Sequence, residues 1–261
     1  MDVSVADAGA TEDAAAPAAP RARRAPYRRL PVAKRREQLI GVALELFSRH
    51  APEEISLDDV ATAAGASRPL VYRYFPGGKQ QLYEAALRTA ATELAGRFVE
   101  PAEGLPTERL AHVLDRYFAF VADHAAGYGA LLRGGSAVET ARTSVIVDEV
   151  RRAAYASLLE HLEVAEPGPR LSLLVRSWIA VVEATALTWL DDGRHELGPV
   201  DELRNWLVDE FVAMFAVAAL HDAQCARVLR AMLTQYDSGT GPAARLFGGL
   251  VGLLAPDAAT E

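Results

Sequence analysis

Residues 56–79 read SLDDVATAAGASRPLVYRYFPGGK. Ser56 with Asp59 three residues later is a capping-box start for a helix. Leu57, Val60, Ala61 and Ala64 recur at helical spacing and predict an inward face. Ala61 is small enough for a second helix to approach closely. Gly65 stands where the chain must turn and can take the left-handed conformation that ends a helix. Ser67 then caps the second helix, and Pro69 falls in its first turn, where a missing N–H costs little. Val71 and Phe75, four apart, point to a core. Two short helices joined by a tight turn form a unit that fits a DNA major groove.

The outward residues carry the chemistry such a unit needs. Arg68 and Arg73 are suited to guanine edges or phosphates, and Pro69 to a thymine methyl. Tyr72 and Tyr74 offer hydroxyls to phosphates, with core packing as the plainer reading of an aromatic run. Ser56 and Ser67 join this DNA-facing set through their places at the two helix starts. Pro76, Gly77 and Gly78 end the second helix and leave Lys79 at the next helix N-terminus, a phosphate clamp. Gly77-Gly78-Lys79 is not a nucleotide-binding loop: no glycine stands five residues before Gly78, and Gln80 replaces the Ser/Thr.

Charge supports this reading only when it is localised. The 261-residue chain has a net charge of −8. Residues 21–79 hold twelve Lys/Arg against six Asp/Glu, a local charge of +6. With four acids and no base in residues 1–20, residues 80–261 are left with −10. A basic module sits on an acidic body, and phosphates feel charge only within a Debye length of roughly 10 Å. Residues 21–36, RARRAPYRRLPVAKRR, contain eight bases and no acid. Pro26 and Pro31 argue against helix before Val32, so 21–32 read as a basic arm along phosphates or in the minor groove, with Arg28 and Arg29 as contacts and a solvated basic tail as the plainer alternative. Lys34 and Arg35 open the next helix, 33–50, and are placed for phosphates too. That helix turns Leu39, Val42, Ala43, Leu46 and Phe47 to one side.

Composition sets the class. The chain is 51% hydrophobic and only 7% aromatic, rich in Ala and Leu, with little β-type alternation, which favours an all-α fold. Cys225 is the only cysteine, so an internal disulfide is excluded and a cytoplasmic setting fits. Residues 1–20 lack a secretory pattern and read as a disordered Ala/Pro-rich tail. The most apolar stretch, residues 171–190, is interrupted by Arg176 and Glu183, so no membrane association is expected.

Helices are expected over 79–99, 107–124, 128–133, 136–162, 170–190, 200–220 and 223–236. The helix of 170–190 is apolar nearly all round and predicts burial. Residues 33–79 are assigned to the DNA-binding unit, 80–237 to a helical body and 238–261 to a C-terminal tail. Tyr117, Phe118, Phe120, Tyr155 and Trp178 are candidate pocket walls, each with core packing as its plain alternative. Glu183 in an apolar helix needs a partner: Arg176 seven residues away, another arginine, or a ligand. His221 and Cys225 are too few for a metal site, and no nucleophile, base and orienting group converge, so neither metal, cofactor nor catalysis is expected.

Residues 33–87 resemble the N-terminal domain of TetR-family transcriptional regulators. The matching features are ALELFSRH, SLDDVATAAGAS and RPLVYRYFPGGKQQLYEA in this order. Three departures stand out: Gly77-Gly78 where the family often has a polar residue before its lysine, Tyr74 where many relatives carry His, and a longer basic arm. The resemblance implies a three-helix DNA-binding domain, a linking fourth helix, a helical ligand domain and a homodimer. The two long helices of 170–190 and 200–220 resemble the family's dimerising pair, and 118–133 resembles members that sense lipid or acyl compounds, while apolar walls suit antibiotics, other secondary metabolites or aromatic compounds equally. The expected function is thus a homodimeric repressor of a palindromic double-stranded operator, released by a hydrophobic small molecule. One alternative is a helical small-molecule- or lipid-binding protein with a vestigial DNA-binding module, for which absent salt-dependent DNA binding would speak. Another is an all-helical enzyme, for which turnover of a bound ligand would speak.

Overall fold

The computed structural model describes residues 31–99, 104–133, 140–191 and 197–233, and no strand occurs among them. The tail of 1–20, the arm with Arg28 and Arg29, residues 136–139 of the expected helix 136–162, and the tail of 238–261 lie outside the described residues. The helices are α1 (Val32–Arg49), α2 (Leu57–Ala63), α3 (Arg68–Tyr74), α4 (Gly78–Arg97), α5 (Pro106–Asp123), α6 (Ala125–Arg133), α7 (Ala141–His161), α8 (Pro169–Asp191), α9 (Val200–Ala219) and α10 (Ala223–Leu233). A 3-10 turn, Pro52–Glu54, joins α1 to α2.

The α2–α3 turn forms as its residues dictate. The Ser56 Oγ accepts from the Asp59 amide at 3.2 Å, and Asp59 Oδ2 accepts from the Ser56 amide at 2.8 Å. At the other end Gly65 has φ +58. Its N–H donates to the Thr62 carbonyl at 3.1 Å and that of Ala66 to Ala61 at 2.8 Å, the paired bonds of a Schellman stop. Ser67 holds the N-cap position of α3, but its hydroxyl makes no capping bond, so it differs from the expected side-chain cap. Pro69 in the first turn removes one of the amides that such a cap would serve.

Buried side chains collect into two cores. One gathers Leu39, Phe47, Val60, Val71, Phe75, Leu82 and Ala86 from α1 to α4. The other starts at Ala90 and Leu94 on the same α4 and runs through α5 to α10. Helix α4 therefore belongs to both, its first half to the DNA-binding unit and its second half to the body. Phe47 and Tyr83 meet edge to face at 5.0 Å and lock α1 to α4.

In the body, α8 is not buried on every side. Leu171, Leu174, Val175, Trp178, Val182, Ala186 and Trp189 are buried, yet Leu173 is 66% exposed. The buried stripe has α5, α6, α7, α9 and α10 to pack on, and among the described residues the side with Leu173 is left exposed. By length and composition alone α8 could cross a membrane, but its apolar stripe faces α9: the Trp178 indole N–H donates to the Leu207 carbonyl at 3.1 Å and its ring lies 4.6 Å from Phe211. Helix α6 begins at Ala125, three residues earlier than expected, and passes through Gly127 and Gly129. A Cβ on Gly127 would stand 2.7 Å from the Phe47 carbonyl oxygen, so this glycine permits the close approach of α6 to the end of α1.

Candidate functional site

Helix α3 presents one face to solvent. Ser56, Ser67, Arg68, Pro69, Tyr72 and Arg73 are exposed, while Tyr74 and Lys79 are half-buried and Val71 and Phe75 are fully buried. Tyr72 is 41% exposed, so the outward assignment applies to it, whereas Tyr74 packs partly on the core. Arg68 is already engaged within the unit: its Nη1 lies 2.9 Å from Asp58 Oδ2 and its guanidinium sits 5.7 Å from the centre of the Tyr72 ring. This holds the arginine in place before any nucleic acid arrives. Lys79 Nζ donates to the Glu53 carbonyl at 3.2 Å, within the 3-10 turn. Lys34 is exposed at the start of α1. Arg35 is not available to phosphates: it is 8% exposed, with Nη1 donating to Gln38 Oε1 at 2.6 Å. Gln38 Nε2 in turn donates to the Ala64 carbonyl, tying α1 to the turn of the DNA-binding unit.

The chain belongs to the TetR family of transcriptional regulators. Residues 39–86 match the model of bacterial regulatory proteins of the tetR family, and residues 106–214 match the tetracyclin repressor-like C-terminal domain. A tetR-family transcriptional regulator from Streptomyces coelicolor of known crystal structure is 51% identical, with a TM-score of 0.81, and covers 87% of this chain and all of its own. The HTH-type transcriptional activator FasR of Mycolicibacterium smegmatis is 26% identical over 179 residues, 67% of this chain and 78% of that protein. FadR of Bacillus subtilis, solved in complex with stearoyl-CoA, shares the fold at 18% identity and a TM-score of 0.54, covering 67% of this chain and 96% of its own. The basic N-terminal unit of this TetR-family regulator is thus its helix-turn-helix DNA-binding domain.

The body of the regulator encloses a cavity of about 170 Å³ with an almost wholly apolar wall. It runs from α1, through Leu44, Phe47 and Ser48, to Phe211 on α9 and Met232 on α10. Of the residues expected in the wall, Tyr117, Phe120, Trp178 and Glu183 line it. Phe118 and Tyr155 do not, and both are corrected to packing roles. Phe118 is 1% exposed and meets Trp189 edge to face at 5.5 Å. Tyr155 donates its hydroxyl to Ser172 Oγ at 2.9 Å, and Arg176 lies 4.3 Å over its ring.

Arg176 is thereby taken, and Glu183 pairs instead with Arg151 of α7. Arg151 Nε reaches Glu183 Oε1 at 3.0 Å and Nη2 reaches Oε2 at 2.9 Å, a two-pronged pair on the cavity wall. Beside it Tyr117 and Tyr128 share a short hydroxyl–hydroxyl bond. Burial pushes the Tyr117 hydroxyl well above the usual tyrosine range, reinforced by Tyr128, so it stays neutral. Tyr128, Arg151 and His161 belong to the wall and escaped sequence reading. Tyr128 between Gly127 and Gly129 was the one visible signal; the other two look like ordinary helix-surface residues until the packing is known.

Proposed function

We propose that this regulator is a homodimer that binds a palindromic operator and is released from it by an apolar small molecule of the lipid or acyl class. Residues 33–79 carry the DNA-reading role and 80–237 the effector-binding and dimerising role. The observation that carries the reading is the shared wall of the cavity. Leu44, Phe47 and Ser48 of α1 and Tyr83 of α4 line it, and Phe47 and Tyr83 are also core residues of the DNA-binding domain. A ligand filling the cavity presses on the same side chains that position α3. An almost wholly apolar wall favours an apolar ligand. The acyl class is further suggested by the stearoyl-CoA bound to FadR, a property of that protein. A coupling of about 1–3 kcal/mol would change operator affinity roughly 5- to 150-fold.

In this reading Arg68, Pro69, Tyr72 and Arg73 read bases, and Lys34, Tyr74, Lys79 and the arm with Arg28 and Arg29 hold phosphates, while Ser56 and Ser67 set the helix starts. Two copies present α3 to successive major grooves about 34–36 Å apart. The apolar side chains left in solvent on α8 and α9 supply a dimer face: Leu173 is 66%, Trp206 49%, Val217 63% and Leu220 79% exposed. The test is a band shift on the regulator's own and neighbouring promoters. A palindromic footprint released by medium- or long-chain acyl compounds is expected. Binding unchanged in the Arg68→Ala, Tyr72→Ala double variant would sink the assignment of α3. Repression is the expected sign, although FasR is an activator, and a transcription assay with the same promoter reads it.

A further inference from the structure

The polar groups along the cavity fall into two sets. Tyr117 bonds Tyr128, and Arg151 pairs with Glu183, so these four satisfy one another. At the place where α5 begins and α7 ends, the balance is different. His161, the last residue of α7, lines the cavity. Its Nδ1 lies 2.6 Å from the Ser157 carbonyl oxygen. A carbonyl only accepts, so Nδ1 carries the proton and the neutral ring offers Nε2 as an acceptor. That Nε2 is buried and has no hydrogen-bond partner. Arg109 stands against the same turn. It is only 7% exposed, its Nη2 donates to the His161 carbonyl at 3.2 Å, and its Nε–H is likewise buried without a partner. An unmet acceptor on the wall therefore marks one end of an apolar cavity, with the buried Arg109 outside that wall against the same turn, in a protein interior where such groups are normally paired.

We propose that this end of the cavity receives the free carboxyl group of a straight-chain fatty acid, with the hydrocarbon tail lying along the apolar wall. The inference rests on the effector-cavity reading and adds the head group to it. A carboxylic acid supplies the missing partner: its O–H is shared with His161 Nε2, while Arg109, bonded to the His161 carbonyl outside the wall, lends positive charge nearby. A methyl ester or a coenzyme A thioester has acceptors but no acid proton at that position, so it leaves Nε2 unmet. Phe98, Leu110 and Leu158 line the cavity around this end and would take the first methylene groups.

Titration of the full-length protein with dodecanoic acid, methyl dodecanoate and dodecanoyl-coenzyme A tests this, read by calorimetry or by the fluorescence of Trp178 in the wall. The acid is expected to bind roughly tenfold or more tightly than the ester and the thioester, as a charge-assisted bond implies. His161→Phe should bring the acid-to-ester ratio close to one while ester affinity stays the same. Equal affinity for acid and ester, a thioester that binds more tightly than the acid, or a ratio that survives the His161 substitution overturns the proposal. If a variant does not fold, the three-ligand comparison on the unaltered protein still decides. Binding of none of the three removes both this proposal and the acyl-effector reading, whereas ester bound as well as acid removes only the head group.

Discussion

Glu163 shows how one residue can carry strain that its sequence does not announce. It has φ +56, in the left-handed region that glycine prefers, and it holds a Schellman stop at the end of α7. The Glu163 N–H donates to Glu160 at 3.0 Å and the Val164 N–H to Leu159 at 2.9 Å. An L-residue pays about 1–2 kcal/mol in this conformation, and glycine's greater chain entropy returns part of that. Glu163→Gly is therefore expected to stabilise the protein by about 0.5–1 kcal/mol, seen as a higher urea midpoint at fixed protein concentration. A lower midpoint would contradict the strain. Arg68 makes a second case. Asp58 at 2.9 Å fixes its guanidinium but also competes with phosphate for it. Asp58→Ala should raise non-specific DNA affinity and reduce discrimination between operator and random duplex, both measured by band shift at several salt concentrations. Unchanged discrimination would mean that the ion pair does not orient Arg68 for reading.

Among the helices, the ends of α2 and α10 depend on carboxylates. The Ser56 hydroxyl, then its amide, holds the Asp59 carboxyl below the ordinary aspartate value, and the Cys225 amide does the same for Asp222 at the start of α10. Both groups have depressed folded-state pKa values, so their contribution is full above the unfolded value of 3.8 and is lost as pH falls through the lower folded value. Thermal melts should lose stability on acidification through about pH 4, and Asp59→Asn together with Asp222→Asn should flatten that part of the profile. The α6–α1 junction is governed by space instead. Any side chain at Gly127 meets the Phe47 backbone at 2.7 Å, which no rotamer relieves. Gly127→Ala is expected to destabilise the protein by about 1–3 kcal/mol and to blunt effector-induced release of DNA while ligand affinity persists. Full release with normal stability would show that α6 does not need this contact.

For the molecule as a whole, the decisive division is between its two cores and the face that neither covers. Helix α4 runs through both cores, and the cavity touches both, so the body and the DNA-binding domain share side chains rather than a flexible link. The apolar residues left in solvent on α8 and α9 are a different matter, since nothing among the described residues buries them. Val217→Glu with Leu220→Glu on that face should leave the fold intact by circular dichroism, convert the protein to a monomer in sedimentation, and weaken operator binding at least tenfold through loss of the paired half-site. A variant that remains dimeric would move the interface elsewhere.

The sequence alone determined the all-α class, the helix-turn-helix with its Ser56 start, its Gly65 turn and the outward face of Arg68, Pro69, Tyr72 and Arg73. These follow from spacing within a few turns and from residues whose conformational preferences are local. It also marked Tyr117, Phe120, Trp178 and Glu183, because large aromatic groups and a lone carboxylate in apolar helices have few places to go. Tertiary structure decided what depends on distant neighbours. Phe118 and Tyr155 sit on the same helices as true wall residues but point into packing, and Arg151, 32 positions before Glu183, became its partner only when α7 met α8. Arg35 looked like a phosphate contact by charge and proved buried against Gln38. The orphan atoms of Arg109 and His161 were invisible in sequence for the same reason: whether a polar group is satisfied is a property of everything packed around it.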